Sequence, residues 1–179
     1  MALVADLSGN SPKIGLDRNN APNSKGFKTL AITLPATPAA YAAKDVVGGL
    51  LTFDNMQYSG GGNLVLISAN LLIGASAIPS GMSAFEIHMY NASPPSAYAD
   101  NAAWDLPPGD TPYYMGKVTL YTPTDEGSSL FTYEDNITKG LTLTTENIYA
   151  YLVTVGSYTP AAGNEVYRIK LRGIIPNEL

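Results

Sequence analysis

Residues 166–175 have the sequence VYRIKLRGII, in which apolar and basic side chains alternate with a period of two. Because a β-strand points successive side chains to opposite faces, this segment has one apolar face and one basic face. The apolar face carries Tyr167, Ile169, Leu171, Gly173 and Ile175, and the basic face carries Arg168, Lys170 and Arg172. The pattern predicts a half-exposed strand whose inner face packs on a core.

Eight further segments carry strand signals and are bounded by Gly and Pro. They are residues 27–34, 44–53, 64–73, 85–90, 116–121, 129–133, 141–144 and 148–155. The paired Gly48 and Gly49 predict a bulge or sharp bend in the second of them. The last two strands of the chain could pair as a hairpin. Strands in this number, without a convincing amphipathic helix, predict an all-β fold, a two-sheet sandwich that is jelly-roll-like.

The start of the chain differs from the rest. Residues 1–26 are rich in Gly, Pro and Asn, and their few apolar side chains cannot bury enough surface to fix a conformation. We therefore expect an extended N-terminal arm at residues 1–26 and a single β-sandwich domain at residues 27–179. The arm is either ordered by a neighbouring subunit or a frayed terminus, and the sequence leaves both open.

Residues 91–115 form the least regular part of the predicted domain, with five prolines and a stretch at residues 100–104 that could make one helical turn. A connection of this length is either a functional loop or a packed cover. Trp104, the single tryptophan of the chain, is predicted to anchor this loop to the core.

Charge and composition exclude several kinds of partner. The chain has 10 basic and 15 acidic residues, a net charge of -5, and its basic residues are dispersed, which argues against nucleic acid. It has no apolar run long enough for a membrane span and no signal-peptide pattern, so we expect neither membrane insertion nor export. Only 14% of its residues are charged, and charge is depleted at the cores of protein interfaces.

Side chains suited to catalysis are scarce. The only histidine is His88, in mid-strand beside Glu86 and Tyr90, where we expect it to face solvent. One histidine without cysteines cannot build a histidine-based metal site, and a mid-strand position does not suit a Ser-His-Asp triad. Asp100, Asp105 and Asp110 share one loop and favour turn formation, although a hydrolytic carboxylate pair or a calcium site stays open. We expect no enzyme activity and no cofactor.

Residues 41–53 (YAAKDVVGGLLTF), 85–95 and 148–172 resemble a family of small proteins encoded among the virion genes of tailed bacteriophages. In that family a block similar to residues 44–53 is followed by a strand ending in a short Asn/Pro loop, as in residues 90–95. An Asp-Asn-Ala-Ala segment like residues 100–103 comes next. The resemblance implies a capsid-associated protein of the decoration or cement type, which binds the outside of an assembled head as a trimer or other symmetric oligomer.

The leading hypothesis is a structural virion protein that binds and stabilises a phage capsid. Its expected partners are the major capsid protein and copies of itself, on the capsid surface of the virion and, during assembly, in the host cytoplasm. The expected contacts are the apolar residues of the arm and aromatic residues of the long loop: Leu3, Ile14, Leu16, Tyr98, Trp104, Tyr113 and Tyr114.

The alternative is a carbohydrate- or receptor-binding β-sandwich module of a phage tail or fibre. The chain has twelve tyrosines, and tyrosine supplies rigid, amphipathic contact area to sugar-binding and protein-binding surfaces alike. In this hypothesis Trp104 and the tyrosines of residues 90–114 form a stacking platform.

Overall fold

The computed structural model describes residues 24–176, and this part of the chain forms nine β-strands without a helix. The strands are β1 (Ser24–Thr33), β2 (Val46–Phe53), β3 (Gly62–Ile73), β4 (Phe85–Tyr90), β5 (Tyr114–Leu120), β6 (Thr124–Asp125), β7 (Leu130–Leu143), β8 (Ile148–Thr154) and β9 (Val166–Ile174). Sheet I has the order β1-β9-β3-β7-β6, and sheet II has the order β2-β8-β4-β5.

The pairing of the strands is nested. β1 pairs with β9, β2 with β8, β3 with β7 and β4 with β5, all antiparallel. The chain is thus one long hairpin whose two arms are rolled together into two facing sheets, which is the topology of a jelly roll. The predicted fold class, an all-β two-sheet sandwich that is jelly-roll-like, is confirmed.

The core lies between the inner faces of the two sheets. On β9 the inward side chains Tyr167, Ile169 and Leu171 are fully buried, as their alternation predicts, and Arg168 and Arg172 are exposed. β4 and β8 contribute the facing layer through Phe85, Ile87, Met89, Ile148, Ala150 and Leu152. Burying each large apolar side chain stabilises the fold by about 1.5–3 kcal/mol, so this layer contact holds the two sheets together.

A bulge changes the inward face of β3. Leu66 pairs with Lys139 and Ser68 pairs with Asp135, so Ile67 faces three residues of β7 that have no partner. Before the bulge, Leu64 and Leu66 point into the core. Beyond the bulge, Ala69, Leu71 and Ile73 take the inward positions. Ser68, Asn70 and Leu72 therefore lie on the outer face.

Three sequence-based expectations are wrong. β8 and β9 lie in different sheets and form no hairpin, because residues 155–165 cross from sheet II to sheet I. The segments 129–133 and 141–144 belong to one strand, β7, whose polar middle borders an open groove rather than a turn. Residues 100–104 form no helical turn, since their backbone pairs with the edge of β2.

Two boundaries can also be compared with the expectations. β1 begins at Ser24, three residues before the predicted strand, whereas residues 1–23 of the predicted arm lie outside the described residues. The expected bend at Gly48 and Gly49 is present, because the register of β2 with β8 shifts between Val47 and Leu51 and Gly48 has a φ of 80°.

The turn at Gly81 gives a test of the fold. Gly81 has a φ of +85°, and an added Cβ would lie 2.3 Å from the carbonyl oxygen of Ser157. We expect Gly81→Ala to lower the free energy of unfolding by about 2–4 kcal/mol, from backbone strain and overpacking together. Urea denaturation measures the change.

Gly127 is the matched control, since its φ of +94° is similar but nothing lies within 4 Å of the added Cβ. Gly127→Ala should cost about 1 kcal/mol, the left-handed backbone alone. Equal losses for the two variants would contradict the packing around Gly81.

Candidate interaction surfaces

The long loop of residues 91–113 covers the outer face of sheet II. Its backbone pairs with the segment at the start of β2: Val46 N donates to Ala102 O at 2.9 Å, and Trp104 N donates to Lys44 O at 2.7 Å. The Asp100 carboxylate accepts hydrogen bonds from Gly48 N and Tyr41 Oη, both at 2.7 Å. These contacts close the first half of the β2 edge.

A second apolar cluster lies beneath this loop. Val46, Tyr90, Tyr151 and Val153 are buried at its centre, and the residues packed around them are Tyr98, Trp104, Leu106, Tyr114 and Tyr149. The Tyr151 hydroxyl donates to Ser96 O at 3.0 Å and accepts from Tyr98 N at 3.3 Å. The long loop is therefore a packed cover, which is one of the two alternatives that its length left open.

A polar network crosses the cluster on strands β4 and β5. The Glu86 carboxylate accepts from Lys117 Nζ at 2.5 Å and contacts His88 Nε2 at 3.0 Å. Tyr114 Oη lies 2.9 Å from His88 Nδ1, and the Trp104 ring centroid lies 3.7 Å from that of His88. A neutral imidazole satisfies this arrangement fully, with Nε2–H donating to Glu86 and Nδ1 accepting from Tyr114.

Burial and hydrogen bonding together set the protonation of this network. It lowers the pKa of the His88 imidazole below its ordinary value, outweighing the hydrogen bond to Glu86, which raises that pKa. For Glu86, burial raises the pKa of the carboxyl, but the hydrogen bonds from Lys117 and His88 outweigh it and the pKa lies below its ordinary value. Burial also raises the pKa of the nearby Tyr90 hydroxyl to about 12.

The expectation that His88 faces solvent is wrong, because only 3% of this residue is exposed. Strand alternation placed His88 correctly on the outer face of sheet II, but it could not show that a loop folds back over that face. Trp104 anchors the loop as predicted, because its ring packs against that of His88 at a tilt of 37° and its Nε1–H donates to Tyr90 Oη at 3.3 Å.

The expected contact residues divide into three groups. Leu3, Ile14 and Leu16 lie outside the described residues. Tyr98, Trp104 and Tyr114 come together in the second cluster, where they pack against their own sheet. Tyr113 is 36% exposed at the edge of the loop. That these residues touch another subunit stays a prediction, and three of them already have a role within the domain.

The outer face of sheet I is exposed, in contrast to that of sheet II. We call it the basic face, because strand β9, between β1 and β3, presents Arg168, Lys170 and Arg172 there. Beside them, β3 contributes Asn70 and Leu72, and β7 contributes Phe131, Tyr133 and Asp135. Tyr133 is 57% exposed, and its ring stacks on Phe131 with 5.6 Å between centroids.

Within residues 24–176, no group of three or more His, Asp or Glu side chains could hold a metal ion. Nor does that part of the chain contain a helix able to span a bilayer. The three loop carboxylates act as caps: Asp100 binds Gly48 N, Asp105 binds Leu106 N and Asp110 binds Ser96 N. Only the contact of Asp105 is local, as the turn interpretation predicts, whereas Asp100 and Asp110 bind backbone groups 52 and 14 residues away.

Comparisons with known proteins give weak similarities. No protein-family model matches the chain, and no curated protein matches its sequence. Among solved structures, the capsid of Ralstonia phage GP4 is 18% identical, with 85% of this chain and 84% of that chain covered and a TM-score of 0.42.

Two further similar structures come from other viruses. A chain of the Mud Crab Dicistrovirus structure is 11% identical, with 100% of this chain and 78% of that chain covered and a TM-score of 0.40. A chain of the Israeli acute paralysis virus particle is 11% identical, with 88% of this chain and 75% of that chain covered and a TM-score of 0.35. With TM-scores this low, the three similarities carry no conclusion about what this chain does.

His88 gives a test by pH. A depressed histidine pKa means that the unfolded state binds a proton first, so the free energy of unfolding should fall as the pH drops below about 6.5, down to the folded pKa. The contribution of Glu86 is lost only at lower pH, below the ordinary range of a carboxyl. Urea denaturation at a series of pH values measures the loss.

His88→Gln is the control, because it removes the only imidazole of the chain and should flatten the pH dependence in this window. The single imidazole resonance also reports its own titration by nuclear magnetic resonance. Titration at or above the ordinary histidine pKa would contradict the buried, neutral ring.

Proposed function

We propose that the chain is a structural virion protein that binds and stabilises a phage capsid as a decoration or cement protein. The observation that carries the proposal is the basic face, a sheet surface on which Arg168, Arg172 and Tyr133 are exposed. The resemblance of residues 27–175 to virion proteins of tailed phages and the low content of charged residues support the same function.

The chemistry of the basic face suits a protein partner. Its three cations alternate along β9, and Arg168 and Lys170 make no ion pair with any described residue. Tyrosine and arginine are enriched among the residues that dominate binding energy at protein interfaces. Tyr133, Leu72 and Phe131 add an apolar strip beside the cations.

The distribution of charge selects an acidic partner. The chain as a whole carries a net charge of -5, yet three of its ten basic residues lie on one strand face. Such a local excess steers an acidic surface toward β9 and fixes its register. We infer that the contact surface of the capsid is acidic where this protein binds.

The proposed partners are the major capsid protein and further copies of this chain, in a trimer or other symmetric oligomer on the capsid surface. Each contact can be weak, because many copies on a closed lattice gain affinity from multivalency. β1 begins at Ser24 and pairs with β9, so the described part of the chain begins on the strand beside β9. Leu3, Ile14 and Leu16 are therefore proposed to extend the same contact.

The rival function, a carbohydrate- or receptor-binding module with its platform at residues 90–114, fits the structure less well. Trp104 packs against His88 with ring centroids 3.7 Å apart, and Tyr98 packs edge-on against Tyr151 with ring centroids 5.4 Å apart. Both rings are half-buried and packed against their own domain, which leaves only part of each ring for a ligand.

Charge reversal tests the capsid-binding proposal. The double variant Arg168→Glu/Lys170→Glu should bind capsids at least about tenfold more weakly, equivalent to about 1.4 kcal/mol. The two introduced carboxylates would repel the acidic surface of the capsid. Co-sedimentation with capsids assembled without this protein measures binding, and circular dichroism verifies folding.

Lys44→Glu is the control, since Lys44 is exposed and lies away from the basic face. It should bind as the parent protein does. Failure of the parent protein to bind capsids would overturn the function, whereas equal binding by all three proteins would overturn the assignment of the contact face.

A further inference from the structure

An open groove lies where the free edges of the two sheets approach each other. β5 is the last strand of sheet II, and β6 pairs with β7 only at Leu130 and Phe131, so both edges are free beyond that point. The groove between β5 and β7 has a volume of about 450 Å³, and its lining includes Lys117, Tyr121, Glu134, Asn136, Ile137 and Lys139. We call it the β5–β7 groove.

Three polar side chains of the groove are not bound by other side chains or backbone groups within residues 28–176. The Glu134 carboxylate, the Asn136 amide and the Lys139 ammonium make no hydrogen bond or ion pair there, whereas Lys117 is held by Glu86. Together the three supply an acceptor, a mixed donor and acceptor, and a charged donor around one space. Such a set matches the hydroxyl and carboxylate groups of a sugar.

The backbone around the groove is shaped in an uncommon way. In the bulge of β7, Asn136 and Thr138 adopt positive φ values of 57° and 46°, and a β-branched residue such as Thr rarely does so. Across the groove, Gly116 has a φ of +90°, and an added Cβ there would lie 2.9 Å from Lys139 Nζ. Bulges and local strain of this kind recur at functional sites, where they re-aim side chains.

Tyr121 completes the lining. At 67% it is the most exposed of the large apolar and aromatic residues, directly after β5, with its ring available to a ligand. An exposed tyrosine ring offers an apolar face for the C–H groups of a sugar and a hydroxyl for a hydrogen bond.

A protective role explains only part of this arrangement. Lysines and bulges at a free edge prevent pairing with another strand, and Lys117, Lys139 and the β7 bulge fit that role. Edge protection does not require an exposed Tyr121 ring. Nor does it require Glu134 and Asn136 side chains in the same groove that make no hydrogen bond to residues 28–176. The combination indicates a ligand.

We propose that the β5–β7 groove binds a saccharide that carries a carboxylate group. The sugar ring stacks on Tyr121, Lys139 pairs with the carboxylate, and Asn136 and Glu134 bind hydroxyl groups. This site lies apart from the basic face and from the loop of residues 90–114, and it does not depend on the proposed capsid function.

A glycan array tests the proposal, with each carboxylated saccharide printed beside its neutral parent. We expect the protein to bind carboxylated saccharides in preference to their parents. In titrations followed by nuclear magnetic resonance, Lys139→Gln should weaken the carboxylated probe about tenfold and leave the neutral parent unchanged, because only the charge-assisted contact is lost. Tyr121→Ala should weaken both by at least about tenfold.

Tyr133→Ala is the matched control, since Tyr133 is also exposed but lies on the basic face. It should bind as the parent protein does. The proposal is overturned if no carboxylated saccharide binds better than its neutral parent, or if Tyr121→Ala and Tyr133→Ala have equal effects.

Discussion

The position of β9 between β1 and β3 is the constraint on which the rest of the structure depends. Hydrogen-bonded on both sides, β9 must send its apolar side chains inward and its three cations outward. Its first residues are fixed further by the Tyr167 hydroxyl, which donates to Glu165 Oε2 at 3.2 Å and lies 3.1 Å from that of Tyr158. Tyr158 in turn stacks on Tyr41, which ties the last crossover between the sheets to the segment leading into β2.

The two outer faces of the sandwich follow different principles. On sheet II a proline-rich loop covers the strands, and the buried His88 is hydrogen-bonded to the half-buried Glu86 and Tyr114 beside Trp104. On sheet I the Arg168 and Tyr133 side chains are exposed. A buried network of this kind stabilises the domain itself, whereas exposed Arg and Tyr side chains are available to a partner. This asymmetry is why the contact is proposed on sheet I.

Local patterns predicted much of the fold, because alternation is a property of each strand alone. The alternating side chains of β9 and β4 and the bend at Gly48 all follow from short segments. Long-range features could not be predicted in this way. The bulge at Ile67 interrupts an apparently regular alternation, the pairing of β8 is set by distant strands, and the burial of His88 depends on a loop. The groove depends on two edges that only the folded chain brings together.

Cryo-electron microscopy of the virion tests the central claim, that this is a structural protein of the capsid surface, most directly. The account predicts density for this 18.9 kDa β-sandwich in many symmetric copies over the capsid lattice, with β9 and its cations turned toward the capsid protein. Density confined to the tail, or no density on the particle, would contradict it.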